Sequence, residues 1–135
     1  MKLIILSDIF YTKFDGCSEI LDKENRPYIC LTLKIDNKQY ALPLRHNIRH
    51  PFCFHTTAPA GIDYTKAIVI ESQSYIAADN PRIDTREWNM IKKNEHKIIY
   101  GFKKYLNQYR RALRNPDNPR SIPFLRYSAL RYFDI

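Results

Sequence analysis

From Trp88 to Leu113, apolar side chains return every three or four residues, through Ile91, Ile98, Ile99, Phe102, Tyr105, Leu106 and Tyr109. An α-helix, at about 3.6 residues per turn, gathers that spacing onto one face. A face so rich in large side chains has to be covered, so the rest of the chain must supply a second layer. Asp84-x-x-Glu87 has the form of a capping box at the start of the run, and Asn94-Glu95 opens it a second time. The pattern predicts a short helix to about Lys93 and a longer one to about Arg114, closed by Asn115-Pro116.

The covering layer reads as β-structure. Lys2–Leu6 is an apolar run of strand length, and Ser7 is placed to cap a short helix through about Phe14 before Gly16 ends it. Charged, turn-prone residues fill Asp22–Pro27. Tyr28–Ile35 is β-rich, and Asp36-Asn37 followed by Lys38–Leu42 reads as a hairpin. Pro43 is expected to end or edge the second strand, with Leu44–Thr57 a loop. Beyond Pro59 and Gly61, Ala67–Ile70 has the continuous apolar character of a buried central strand, with Lys66 at its entrance. Arg120–Ile135 is punctuated by proline yet too aromatic for a loose tail, so it should dock on the body. These elements predict an α+β fold with an antiparallel core sheet, in one domain spanning residues 1–135.

Twenty-two Lys and Arg against fourteen Asp and Glu leave a net charge of +8. An excess of that size is the footprint of a polyanion binder, although an anionic membrane surface would also attract it. No stretch approaches the roughly 18 apolar residues of a spanning helix. The N-terminal apolar run is cut short by Ser7 and Asp8, too early for a signal-peptide core, and the expected compartment is the cytoplasm. Cys17, Cys30 and Cys53 lack Cys-x-x-Cys spacing, which argues against a disulfide framework or a zinc knuckle. His46-x-x-x-His50 with His55 is interrupted by Pro51 and has no carboxylate between Asp36 and Asp63, so a metal site is not expected. With three glycines and no phosphate-binding loop, neither is a nucleotide or other cofactor.

The basic residues are concentrated. Between Lys92 and Arg114 lie Lys92, Lys93, Lys97, Lys103, Lys104, Arg110, Arg111 and Arg114, against a single acid, Glu95. A solvated helix face usually interleaves both signs, whereas a one-sign stripe suits phosphate contacts. Tyr127, Tyr132 and Phe133 alternate with Arg126 and Arg131, and Tyr105 and Tyr109 lie beside Arg110 and Arg111. Aromatic faces stack unpaired bases while guanidinium groups hold phosphates, a mode suited to irregular RNA; core packing is the competing use of each ring.

The densest group of imidazole and guanidinium is Arg45, His46, Arg49 and His50. With Lys66 these residue types suit phosphodiester cleavage without a metal. An imidazole moves the proton of a ribose 2′-hydroxyl or of the leaving oxygen, while Arg and Lys stabilise charge on the phosphorane-like transition state. The products would be a 2′,3′-cyclic phosphate and a 5′-hydroxyl. His46 is the choice for proton transfer, with Arg49 and His50 assigned to RNA binding.

The order of motifs resembles a known family. Tyr-x-Lys-Phe near the start, Leu21-Asp22-Lys23-x-x-Arg26-Pro27-Tyr28, Leu42-Pro43-Leu44-Arg45, Gly61-Ile62-Asp63-Tyr64-Thr65-Lys66-Ala67, Phe102-Lys103-Lys104-Tyr105 and Arg126-Tyr127-Ser128-x-Leu130 span nearly the whole chain. Together they resemble the toxins of type III toxin–antitoxin systems, especially the TenpN branch related to ToxN and AbiQ. The resemblance implies a compact, highly twisted antiparallel sheet with surrounding helices, similar to MazF and Kid, and a sequence-selective endoribonuclease. It also implies a repeated, pseudoknotted RNA antitoxin that the toxin processes and binds in a closed toxin–RNA assembly.

Position by position, Arg45 and His46 stand where ToxN-like proteins keep catalytic Thr and Ser hydroxyls, a departure from the pattern. Arg26 stands where the pattern has a functional Lys, Lys66 matches a Lys, and Ser128 matches a hydroxyl that equally suits the capping of a last helical turn. Arg45, Arg26 and Lys66 are thus expected to carry phosphate and transition-state charge, with mRNA as substrate and a role in abortive infection. A non-catalytic module that binds structured RNA through the same basic surface is the alternative, and a ribosome- or membrane-associated basic protein the third.

Overall fold

The computed structural model describes residues 1–21 and 28–135. The turn expected over Asp22–Pro27, and Arg26 with it, lies outside the described residues. In chain order the elements are β1 (Lys2–Ile5), α1 (Asp8–Lys13), β2 (Ile29–Ile35), β3 (Lys38–Arg45), β4 (Cys53–Thr57), β5 (Ala60–Asp63) and β6 (Ile68–Val69), followed by α2 (Thr85–Lys93), α3 (Glu95–Arg114) and α4 (Ile122–Tyr127). The fold is α+β, an antiparallel sheet of six strands with four α-helices among the described residues.

Local signals account for most boundaries. The Ser7 side chain accepts the N–H of Phe10 and so caps α1. Asp36 and Asn37 both take positive φ, 50° and 68°, the geometry of a type I′ turn and one that Asp and Asn tolerate better than most residues. Asp84 caps α2 through the N–H of Arg86, but Glu87 does not close the expected box. Its carboxylate instead accepts the Thr56 hydroxyl at 3.2 Å and ties α2 to β4. The α3 helix ends at Arg114, as its pattern predicts.

The sheet runs β1-β2-β3-β5-β4, with β6 also paired to β3. Along one edge, β3 therefore has two successive partners: Tyr40 and Ala41 face β6, and Leu44 and Arg45 face β5. Between them the chain leaves the ladder in a 3-10 turn, Tyr64–Lys66. Pro43 falls in that gap, where its missing N–H costs no hydrogen bond on this edge, so β3 continues through it to Arg45 instead of ending there. The stretch Leu44–Thr57 is accordingly not a loop throughout. It opens with the last residues of β3 and closes with β4, and only two residues of Ala67–Ile70 pair as a strand.

Alternation along the strands separates two cores. Leu31, Leu33 and Ile35 of β2 and Tyr40 and Leu42 of β3 pack under α3, against Ile98, Phe102, Tyr105 and Leu106. Cys30 and Ala41 face the other side, with Ile4, Phe10, Phe14, Ile68 and Tyr75. Gly101 lets Tyr64 come close to α3, because a Cβ there would meet the Tyr64 hydroxyl at 2.6 Å, and that hydroxyl donates to the carbonyl of Ile98 at 3.0 Å. The C-terminal segment docks as expected: Phe133 lies against Phe14 at 5.1 Å between centroids, Arg131 pairs with Glu19 at 2.9 Å, and the Tyr132 hydroxyl donates to Glu19.

Candidate active site

Where β3 meets β5, the antiparallel pairing of Arg45 with Gly61 sets the last residue of β3 beside the start of β5. Gly61 permits this closeness on the β4 side as well, since a Cβ there would run into the carbonyl oxygen of Phe54. Asp63, the last residue of β5 and the cap of the turn that follows, lies at the centre, completely buried. Its Oδ2 accepts Nη1 of Arg45 at 2.8 Å. Its Oδ1 accepts the Thr65 N–H at 2.9 Å and the Thr65 hydroxyl at 2.6 Å, and lies 3.1 Å from Nε2 of His50. Burial alone would push the Asp63 carboxyl up, but the bonds from His50, Thr65 and Arg45 outweigh it and hold the group below the ordinary Asp range.

His50 is held at both nitrogens. The Phe52 N–H donates to Nδ1 at 3.1 Å, which leaves Nε2 to carry the proton directed at Asp63. This imidazole therefore fastens the loop after β3 onto the turn after β5. Arg45 uses one of its five N–H donors on Asp63 and remains 30% exposed, enough for its free edge to meet a ligand. Lys66 is half-buried, and its Nζ donates to the carbonyl of Tyr127 at 3.0 Å. Burial lowers its pKa, the Asp63 charge offsets part of that, and the Arg45 charge lowers it further. A cavity lined by Tyr11, Tyr28 and Pro43 reaches Lys66, but it encloses only about 10 Å³. That is room for about one water and excludes a nucleobase.

The structure thus gathers Arg45, His50 and Lys66 around Asp63 and Thr65, neither of which stands out as a site residue in the sequence. The one available signal was Asp63 itself, an acid inside a specific motif of a basic chain, eighteen residues from the arginine it holds. His46 is exposed at the end of β3, and Arg49 is exposed on the same loop. Ser128 is fully buried and caps the last turn, accepting the Leu130 N–H at 3.3 Å. Beneath the site the Tyr105 hydroxyl is buried without a well-formed hydrogen bond, and burial raises its pKa.

Of the RNA-binding candidates, Lys92, Lys93, Lys97, Lys103, Lys104, Arg111, Arg114 and Arg126 are exposed, and Arg110 is half-buried. Among the described residues none of them forms an ion pair within 4.0 Å. The rings divide differently from the expectation for stacking. Tyr105 and Tyr109 lie in the core, Tyr132 and Phe133 pack on the body, and Tyr127 remains 53% exposed. Among the described residues no group of three or more His, Cys, Asp or Glu side chains is arranged to hold a metal, and no helix is long and apolar enough to cross a membrane. No family model matches the chain, and no curated protein and no solved structure matches it.

Proposed function

We propose that this protein is a metal-independent endoribonuclease toxin of the type III toxin–antitoxin class, cutting RNA by attack of a 2′-hydroxyl and held in check by a repeated, pseudoknotted RNA that it processes. One observation carries the reading: the Arg45 guanidinium is pinned by a buried, ionised Asp63, and the half-buried Lys66 stands three residues on, in the turn which that carboxylate caps. Two cations pre-positioned at one place are what charge build-up on a pentacoordinate phosphate requires, because a fixed donor needs no reorganisation as the charge appears. His46, exposed next to Arg45 and without a hydrogen-bond partner among the described residues, is the imidazole available for proton transfer. His50 and Asp63 are the positioning pair. The proposed architecture is MazF- or Kid-like, a reading with which the antiparallel sheet and its surrounding helices are compatible. The basic face of α2 and α3 and the exposed Tyr127 ring belong in this reading to the RNA partner, in a cytoplasmic, closed toxin–RNA assembly acting in abortive infection.

The test uses protein stripped of RNA, incubated with mixed RNA in EDTA. Cleavage that leaves 2′,3′-cyclic phosphate and 5′-hydroxyl ends, lost in Arg45→Ala, is the expected result; intact RNA under these conditions overturns it. The second reading, a non-catalytic module for structured RNA, draws support from the burial of Ser128 and the engagement of both His50 nitrogens. Tight RNA binding without cleavage would establish it.

A further inference from the structure

The outer side of α3 carries a large aromatic ring that stands mostly in solvent. Tyr100 is 71% exposed, the most exposed of the large hydrophobic side chains among the described residues. Its position on the helix is specific. Lys97 lies three residues before it, Lys103 and Lys104 three and four after it, and His96 four before. Residues at those spacings are neighbours on a helix surface, so the ring sits inside a frame of basic side chains. Lys97, Lys104 and Arg111 recur every seven residues, a shift of only about 20° around the axis per repeat, and so form one row beside it. Glu95, the one acid of the segment, falls about 160° around the axis from Lys97, away from this row.

A ring left in water amid like charges gains nothing for the fold, since α3 buries Ile98, Phe102, Tyr105, Leu106, Tyr109 and Ala112 on its opposite side. We propose that the Tyr100 face of α3 is a second nucleic-acid site, which stacks an unpaired base of single-stranded RNA on Tyr100 while Lys97 and Lys104 hold the phosphates on either side. The geometry fits. Lys97 and Lys104 lie about 10.5 Å apart along the axis, so the phosphates they hold are about three steps apart on a strand rising about 3.4 Å per step, with the base on Tyr100 between them. This site is also distinct from the candidate active site. Arg45 shares its face of β3 with Ala41, whereas α3 covers the face bearing Tyr40 and Leu42, and the Tyr100 side is turned outward from there. The choice of RNA as the polyanion rests on the proposed function; the base-stacking site itself rests on the exposed ring and its charges.

The experiment measures anisotropy of a labelled RNA of roughly ten nucleotides with 2′-O-methyl sugars, which cannot be cut by 2′-hydroxyl attack, alongside the matched duplex. Tyr100→Ala should weaken binding of the single strand about tenfold, Tyr100→Phe should stay within about twofold, and duplex binding should not change with Tyr100→Ala. Lys104→Glu should weaken both forms. Wild-type affinity of Tyr100→Ala for the single strand overturns the proposal, as does an equal loss for strand and duplex. Loss of binding to phosphatidylserine vesicles with RNA binding unchanged would overturn it in favour of a lipid surface. Circular dichroism of the variants verifies the fold. The same strand with ordinary ribose, cut or left intact by the wild type, decides the nuclease reading separately.

Discussion

Arg45 and Asp63, eighteen residues apart, meet at 2.8 Å because antiparallel pairing sets Arg45 at the end of β3 opposite Gly61, two residues before Asp63 in β5, and the carboxylate of the pair is wholly buried while the guanidinium is not. An isolated carboxylate would not remain ionised in such a place, since burial disfavours its charge. Hydrogen bonds from Arg45, His50 and Thr65 compensate, and the pair presents a fixed cationic edge to solvent.

Asp63→Asn should separate stability from activity. Losing the charged acceptor costs about 1–3 kcal/mol, read as a fall of about 5–10 °C in Tm. Arg45 then swings free, and RNA cleavage should drop about 100-fold, the usual consequence of losing one pre-positioned donor. Unchanged cleavage in a folded Asp63→Asn variant would remove Arg45 from the chemistry.

The same carboxylate gives acid denaturation a direction. Because the folded pKa of Asp63 lies below its ordinary value, its stabilisation is complete above about pH 4 and is lost as pH falls from there through the folded value. Urea midpoints should therefore decline as pH falls below about 4 in the wild type. In Asp63→Asn that decline should be shallower, and equal slopes would contradict the assignment.

Lys66 sets the alkaline limit. Burial brings its pKa down from 10.5, so its ammonium is lost at a lower pH than an exposed lysine would lose it. If that charge steadies the transition state, the cleavage rate should fall on the alkaline side below pH 10.5. Lys66→Arg, whose guanidinium stays protonated, should carry activity further up the pH scale. An identical alkaline limb in the two proteins would exclude the ammonium as the titrating group.

The two histidines should behave differently. His46→Ala is expected to lower kcat by about 100-fold or more, with KM little changed. His50→Ala loosens the loop that presents Arg45, so it should lower Tm and raise KM, and His50→Gln, which retains a donor for Asp63, should recover part of both. The reverse pattern would make His50 the proton carrier.

Glu19 fastens the C-terminal segment. The Tyr132 hydroxyl, with Ser18 and Arg131 adding to it, lowers the Glu19 pKa to about 2, so the clasp holds above the ordinary Glu range and is released as pH falls toward that value. Glu19→Gln at neutral pH should increase hydrogen exchange across Ala129–Phe133 with little change in α3. Unaltered exchange would mean that the aromatic contact of Phe133 with Phe14 suffices.

Much of this molecule follows from local sequence. The helix caps at Ser7 and Asp84, the Asp36-Asn37 turn and the end of α3 at Arg114 each depend on neighbours within a few positions, and each was legible. Pro43 was not, because a missing N–H matters only on an edge where a partner strand needs it, and that edge is set by where β5 hands over to β6. The basic side chains of Arg45 and Lys66 that the candidate site uses were legible too. Which side chains support it was not. Asp63 finds Arg45 and His50 only through strand pairing, and Tyr105 and Tyr109 differ from Tyr100 only in which side of α3 meets the sheet. Composition and periodicity determine which elements form and how much charge they carry. Register and packing, which act between distant segments, decide which of those charges converge and which rings stay in water.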